Sequence, residues 1–303
     1  MIVVRKVNFS IPVECALPYS NNIKIYNDDG IILFPDSYSD DGAATRLVIS
    51  CHGAGGTVTT NDSQIESQTL TKYLLANGYA VMDVNGLPYE FADEFGIDIR
   101  NNVGSPIAIQ SYIKAYWYCI ENFNLHKEVC VHGGSMGGIS STNLVLSGKI
   151  PVLVQTGFCP VLDTYNEIFL HPWSNGLPKT ALSVIFSFEK DNDDEYIYDE
   201  VKVLGYNPIN SKKDHPCPLL FCHSINDPIV DFETTKQYIE QAKRQGIEAE
   251  LIALPDGKHE PQDYGMYIDK PIGNRYYNNE LLNITVAIES VFSWISKYAN
   301  PSI

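Results

Sequence analysis

The stretch that most constrains this chain is residues 126–143, His-Lys-Glu-Val-Cys-Val-His-Gly-Gly-Ser-Met-Gly-Gly-Ile-Ser-Ser-Thr-Asn. A short apolar run, Val129–Val131, leads into Gly133-Gly134-Ser135-Met136-Gly137-Gly138, and Ile139 to Leu146 can open a helix. G-x-S-x-G between a strand and a helix has the pattern of a nucleophile elbow, a turn so sharp that it holds its serine in a strained conformation. Small residues at 133 and 137 let the neighbouring backbones come close. Ser135 is therefore the candidate nucleophile.

The rest of the chain supplies a framework for such a turn. Arg46–Ser50, Tyr79–Val84, Val129–Val131, Pro151–Gln155, Leu219–Cys222 and Glu250–Leu254 read as strands. Gln64–Ala76, Pro106–Asn122, Phe232–Gln245 and Leu281–Tyr298 have helical spacing, with Asn77-Gly78 and Gly246 as stops. Near-continuous apolar strands followed by helices imply an α/β fold whose mostly parallel sheet is covered on both faces. Within residues 1–40, Val3–Ile11, Asn22–Asn27 and Ile31–Phe34 read as edge strands, the last two separated by a turn at Asp28-Asp29-Gly30. Residues 158–216 break the rhythm, and a structureless loop of that length is unusual, so they are expected to form a cap or lid. The chain is read as a single domain spanning 1–303 with that insertion.

Composition narrows the partners. A formal net charge of −16 and no basic run argue against nucleic acid and anionic membranes. No stretch reads as a secretory signal or a membrane span. Seven cysteines show no paired C-x-x-C spacing, and Cys51, Cys130 and Cys222 fall inside apolar runs. A reduced, cytoplasmic setting is expected.

An activated serine needs a base, and the base an orienting acid, here in the chain order Ser, Asp or Glu, His. His259 stands in a loop after the last strand and before the final helix, where the base belongs. His171 and His215 each precede a proline and read as lid or turn residues. For the acid, Asp227 lies just beyond strand 219–222; Asp231 is a better helix cap and Asp256 a nearer but weaker rival. Asp83 reads as a loop brace. The oxyanion hole needs backbone N–H groups, which Met136 and one of Ala54 or Gly55, in His52-Gly-Ala-Gly-Gly56, are placed to offer.

These motifs resemble the α/β-hydrolase superfamily, in its serine esterase and prolyl-oligopeptidase-like branch: His-Gly-x-Gly-Gly at 52–56, Gly-x-Ser-Met-Gly-Gly at 133–138, and Asp-x-x-Val at 227–230, over about residues 30–298. The resemblance implies an α/β-hydrolase fold and a Ser135–Asp227–His259 triad working without metal or cofactor. It also implies a two-step acyl transfer. No propeller precedes the catalytic part, so the expected activity is hydrolysis of short acyl, acetyl-like esters of carbohydrates or small alcohols. A prolyl-oligopeptidase-like peptidase or aminopeptidase is the alternative, and a non-catalytic scaffold a further one. His52, Leu87, Tyr89, Phe158, Phe169 and Trp173 are the expected substrate-binding residues; Leu87, Tyr89, Phe91, Phe158, Phe169 and Trp173 are read as either an acyl or sugar-stacking wall or a lid core.

Overall fold

The computed structural model describes residues 5–18, 20, 22–58, 64–169, 179–187, 204–255 and 258–299. Eight strands form one sheet in the order β1-β2-β4-β3-β5-β6-β7-β8. They are β1 (Arg5–Ala16), β2 (Ile23–Phe34), β3 (Arg46–Cys51), β4 (Tyr79–Val84), β5 (Val129–Gly134), β6 (Val152–Phe158), β7 (Leu219–Ser224) and β8 (Ala249–Leu254). The β1–β2 and β2–β4 pairs are antiparallel and every other pair is parallel. This is the α/β-hydrolase architecture.

The helices are α1 (Gln64–Ser67), α2 (Thr69–Ala76), α3 (Tyr89–Glu94), α4 (Pro106–Asn122), α5 (Gly137–Ser147), α6 (Lys179–Ile185), α7 (Phe232–Arg244), α8 (Pro261–Tyr264) and α9 (Val286–Ala299). Local chemistry sets several of their ends. Ser105 accepts the N–H of Ala108 ahead of Pro106 at the start of α4, and Gly148, at φ 64°, closes α5. One face of the sheet packs on α4 and α5 through residues such as Leu47, Ile49, Val129 and Val131. The alternate residues, Val48 and Cys130 among them, pack with Tyr73 of α2 and with Val291 and Ile295 of α9 on the other face. The two-residue period of a strand makes this sorting automatic.

Three features differ from the sequence reading. Residues 28–30 do not turn: β2 runs unbroken from Ile23 to Phe34, paired with β1 along its whole length. Gly30 is there because the Phe9 ring lies across it, only 2.3 Å from where a Cβ would stand. Asp28 stays in the strand because its buried carboxylate accepts the amides of Asp29 (3.0 Å) and Gly86 (2.9 Å) and the Ser111 hydroxyl. The last helix begins at Val286 rather than Leu281, which pairs in a two-residue strand with Tyr276. Finally, α3 has no counterpart in the sequence reading.

The insertion between β6 and β7 begins with a π-helical turn, Thr164–Phe169, followed later by α6. Leu182, Val184, Ile185 and Phe186 join the core that holds Ile107 and Ile109 of α4 and Ile11 and Val13 of β1. The Ser187 hydroxyl donates to the Ala16 carbonyl at 3.2 Å. This part of the insertion therefore packs on the edge hairpin and α4. Trp173, His171, Asp256 and the acidic run at 191–200 lie outside the described residues, as does the side chain of Phe169.

Candidate active site

The site is built on the carboxyl ends of β3, β5, β6, β7 and β8. Ser135 has φ 52°, a left-handed conformation that a residue with a Cβ adopts only under constraint. The constraint is visible: its N–H donates to Phe158 O at 3.0 Å, while its own carbonyl accepts Gly138 N at 2.8 Å and Val161 N at 2.9 Å. A Cβ at Gly133 would stand 2.2 Å from the Gly137 carbonyl oxygen, and one at Gly137 would stand 2.0 Å from that of Cys51. Only glycine at both positions allows α5 to start against the ends of β3 and β5.

His259 lies on the loop after β8, with Nε2 2.9 Å from Ser135 Oγ. Its Nδ1 faces both oxygens of Asp227, at 3.1 and 2.9 Å. A carboxylate can only accept there, so the ring proton sits on Nδ1, and Nε2 is free to accept from the serine hydroxyl. The Asp227 side chain is shielded from solvent, which by itself would raise its pKa. Hydrogen bonds from His223, His259, Ile229 N and Val230 N outweigh burial and hold it well below the usual carboxylate range. Asp231 does not reach His259. Its carboxylate instead accepts the Glu233 and Thr234 amides and caps α7.

His223 shares Asp227. Its Nε2 lies 3.2 Å from Asp227 Oδ2 and its Nδ1 2.9 Å from Thr235 Oγ1, in a fully buried position. The sequence reading assigned His223 no role, although its place four residues before Asp227 at a strand end was the available signal. Cys159 was missed too. Burial holds it as a thiol, and its Sγ donates to the His259 carbonyl at 2.5 Å, bracing the loop that carries the ring.

The loop from His52 to Gly56 crosses in front of Ser135. A Cβ on Gly53 would stand 3.4 Å from Gly134 O and 3.5 Å from Ser135 Cβ, so the loop touches the elbow. His52 is its buried anchor rather than a surface for substrate. Nδ1 lies 3.0 Å from Asp83 Oδ2 and Nε2 3.2 Å from Asn102 Nδ2. Asn102 is itself oriented, since its Oδ1 accepts Gly104 N (3.2 Å) and Ser140 Oγ (2.9 Å). Its NH2 group therefore donates to His52 Nε2. Asp83 also accepts Tyr112 OH at 2.8 Å and is a loop brace, as read from the sequence.

A cavity of about 480 Å³ opens beside Ser135 and His259, with Gly53, Ala54, Gly134 and Phe158 in its wall. Gly55, at φ 86°, has nothing within 4 Å of where a Cβ would stand and does not line this cavity. Met136 is buried at the start of α5, where amides have no partner within the helix. Of the other residues expected to bind substrate, Leu87 is fully buried in the core and Tyr89 is 59% exposed on α3; neither lines this cavity.

Among the described residues, Cys159, Asp227 and His259 place three possible metal-ligand atoms within 4.8 Å of one another. Two of those groups are hydrogen-bonded to each other and the third is a protonated thiol, so the set fits proton transfer better than metal binding. No helix among the described residues is long and apolar enough to cross a membrane.

A strained elbow serine facing a histidine on an α/β-hydrolase sheet defines a serine-hydrolase-type enzyme. More particularly, the chain belongs to the prolyl oligopeptidase family of S9 peptidases, whose family model matches residues 66–279. Solved structures with a similar fold include the acylaminoacyl peptidase of Pyrococcus horikoshii, with 14% identity, a TM-score of 0.57, and 86% of this chain and 38% of that one covered. A puromycin-hydrolyzing peptidase of Mycobacterium tuberculosis has 15% identity and a TM-score of 0.55, with 82% and 37% covered. A hyperthermophilic esterase of Pyrobaculum calidifontis has 16% identity and a TM-score of 0.55, with 86% and 79% covered. At these identities the likeness is one of fold. The chain spans little more than a third of the two peptidases, 38% and 37% of their lengths. A search of curated proteins found no match.

Proposed function

We propose that this chain is a serine peptidase that cleaves the amide bond of small peptide-like or aminoacyl compounds, and activated esters by the same route. The observation that carries the reading is the hydrogen-bonded series from Ser135 Oγ through both ring nitrogens of His259 to Asp227. Family membership favours an amide substrate over the carbohydrate ester expected from the sequence, because the matched family is one of peptidases.

Ser135 Oγ attacks the carbonyl carbon while His259 Nε2 takes the hydroxyl proton, and Asp227 stabilises the resulting imidazolium. The oxyanion is met by the N–H groups of Met136 and Ala54; Gly55 is the less favoured donor because the loop carries it clear of the cavity wall. As the C–N bond breaks, His259 returns the proton to the leaving nitrogen, and the acyl group stays on Ser135. Water then attacks the acyl-enzyme, giving its proton to His259 and releasing the acid. The same proton finally restores the serine hydroxyl.

Aminoacyl p-nitroanilides and short p-nitrophenyl esters test this directly. Both should be turned over, Ser135→Ala should keep its fold and lose nearly all turnover, and a fluorophosphonate should label only the parent. Equal turnover by parent and variant overturns the assignment of Ser135. Turnover of esters with none of the anilides overturns the peptidase reading.

A further inference from the structure

The cavity beside Ser135 has a character of its own. It lies on the sheet face covered by α2 and α9, while α6 of the insertion packs on the other. Its lining mixes apolar Leu70 and Phe158 with polar, uncharged Ser50, Gln68, Thr69 and His132, of which Ser50 and His132 are buried. Among the described residues no lysine or arginine lines it, and the carboxylate that does, Glu260, is exposed. His132 is 5% exposed, its Nδ1 lies 3.0 Å from Thr156 Oγ1, and burial pushes its pKa down to about 3. It is therefore neutral at working pH, leaving Nε2 as one hydrogen-bonding atom rather than a charge.

Gly134 bears on the same cavity. Gly133 and Gly137 are dictated by contact, but a Cβ at Gly134 would meet only Phe158 O at 3.7 Å and Phe158 Cβ at 3.9 Å, ordinary van der Waals distances. The elbow does not need glycine there. A larger side chain at this position would project beside Phe158 into the cavity.

We propose that this cavity is the leaving-group pocket, and that it selects an uncharged, hydrogen-bonding leaving group about the size of one amino-acid residue, such as one bearing an amide or hydroxyl. The proposal rests on the triad reading above. The side is set by His259, which forms part of the wall together with Glu260 and Gln262 and is the group that must hand its proton to the departing nitrogen. The volume of about 480 Å³, within the range of small-ligand sites, has room for such a residue. The selectivity follows from desolvation. An ion would lose its water there, an anion with no cation among the described lining residues and a cation with only the exposed Glu260, while an apolar group would leave Ser50 and His132 without partners.

Peptides that share one N-acetylalanyl group and end in glutamine amide, leucine amide or glutamate amide test the proposal. The parent should cleave the glutamine peptide with kcat/KM about 10-fold or more above the other two, the size expected for losing one buried hydrogen bond. Gly134→Leu and His132→Phe should each reduce that preference to about 2-fold or less while fluorophosphonate labelling of Ser135 continues. Free glutamine amide should inhibit the parent more strongly than leucine amide, a comparison that needs no variant to fold. Equal inhibition by the two amides, or a preference unchanged in both variants, overturns the pocket while labelling shows the triad intact. Loss of labelling in the parent itself overturns the triad reading and this proposal with it.

Discussion

At the scale of single residues, the site turns on where protons sit. On the proposed roles, Asp227→Asn puts an amide N–H opposite His259 Nδ1, favours the wrong tautomer, and should lower kcat by on the order of 10⁴ with little change in KM. His223→Phe removes only one of the donors to the same carboxylate, so its cost should be far smaller, about 10-fold in kcat. Asp231→Asn should leave kcat within about 2-fold and lower the melting temperature instead, since losing part of a helix cap costs about 1 kcal/mol or less. Steady-state kinetics on one anilide ranks all three. If Asp231→Asn proves the most damaging to kcat, the acid is misassigned.

At the scale of elements, the elbow depends on how closely α5 approaches the ends of β3 and β5. Gly137→Ala forces a methyl to within 2.0 Å of the Cys51 carbonyl oxygen, so backbone must move. Such overpacking costs about 1–3 kcal/mol or more, and the melting temperature should drop by several degrees. Gly134→Ala, three positions earlier and with room for its methyl, should melt close to the parent. Equal melting temperatures for the two variants would contradict the close approach. G-x-S-x-G fixes glycine at 137 and leaves 134 open, and the close approach of α5 to β3 is the reason.

At the scale of the whole molecule, two buried carboxyls set a pH dependence of stability. Burial pushes Asp28 and Glu167 each up to about 7, against the hydrogen bonds from neighbouring amides that favour the ionised forms. Each binds its proton more tightly in the folded chain than in the unfolded one, where carboxyls titrate near 4. Their contribution is therefore complete below about pH 4 and is lost as pH rises through 7. Asp227 runs the other way: its contribution is present above the ordinary carboxylate range and fades as pH falls below it. Between pH 5.5 and 8, Asp28→Asn combined with Glu167→Gln should remove the fall these two carboxyls cause from the melting-temperature profile, on which buried, neutral His132 and His215 act the other way up to about pH 6.5. An unchanged slope in the double variant would show that other groups control it.

Much of this protein is legible in patterns that span only a few residues. The strand–turn–helix at Ser135, the apolar strands and helix stops, and the loops that carry Asp227 and His259 all follow from spacing within a few residues. What tertiary structure decided lies across larger separations. Ser135 and His259 are 124 positions apart, and which carboxylate faces the ring depends on how β7 and β8 pair. The turn expected at Asp28 gave way because Phe9 and Ser111, from elsewhere in the chain, supplied the packing and hydrogen bonding that a strand needs there. His223 sits beside Asp227 in sequence, yet its bond depends on the fold of that loop and on Thr235. The cavity has no sequence signature at all, because its wall is assembled from β3, α2, β5, β6 and the loop after β8. Local preference sets the elements, whereas a pocket exists only where several distant ones fail to fill the same space.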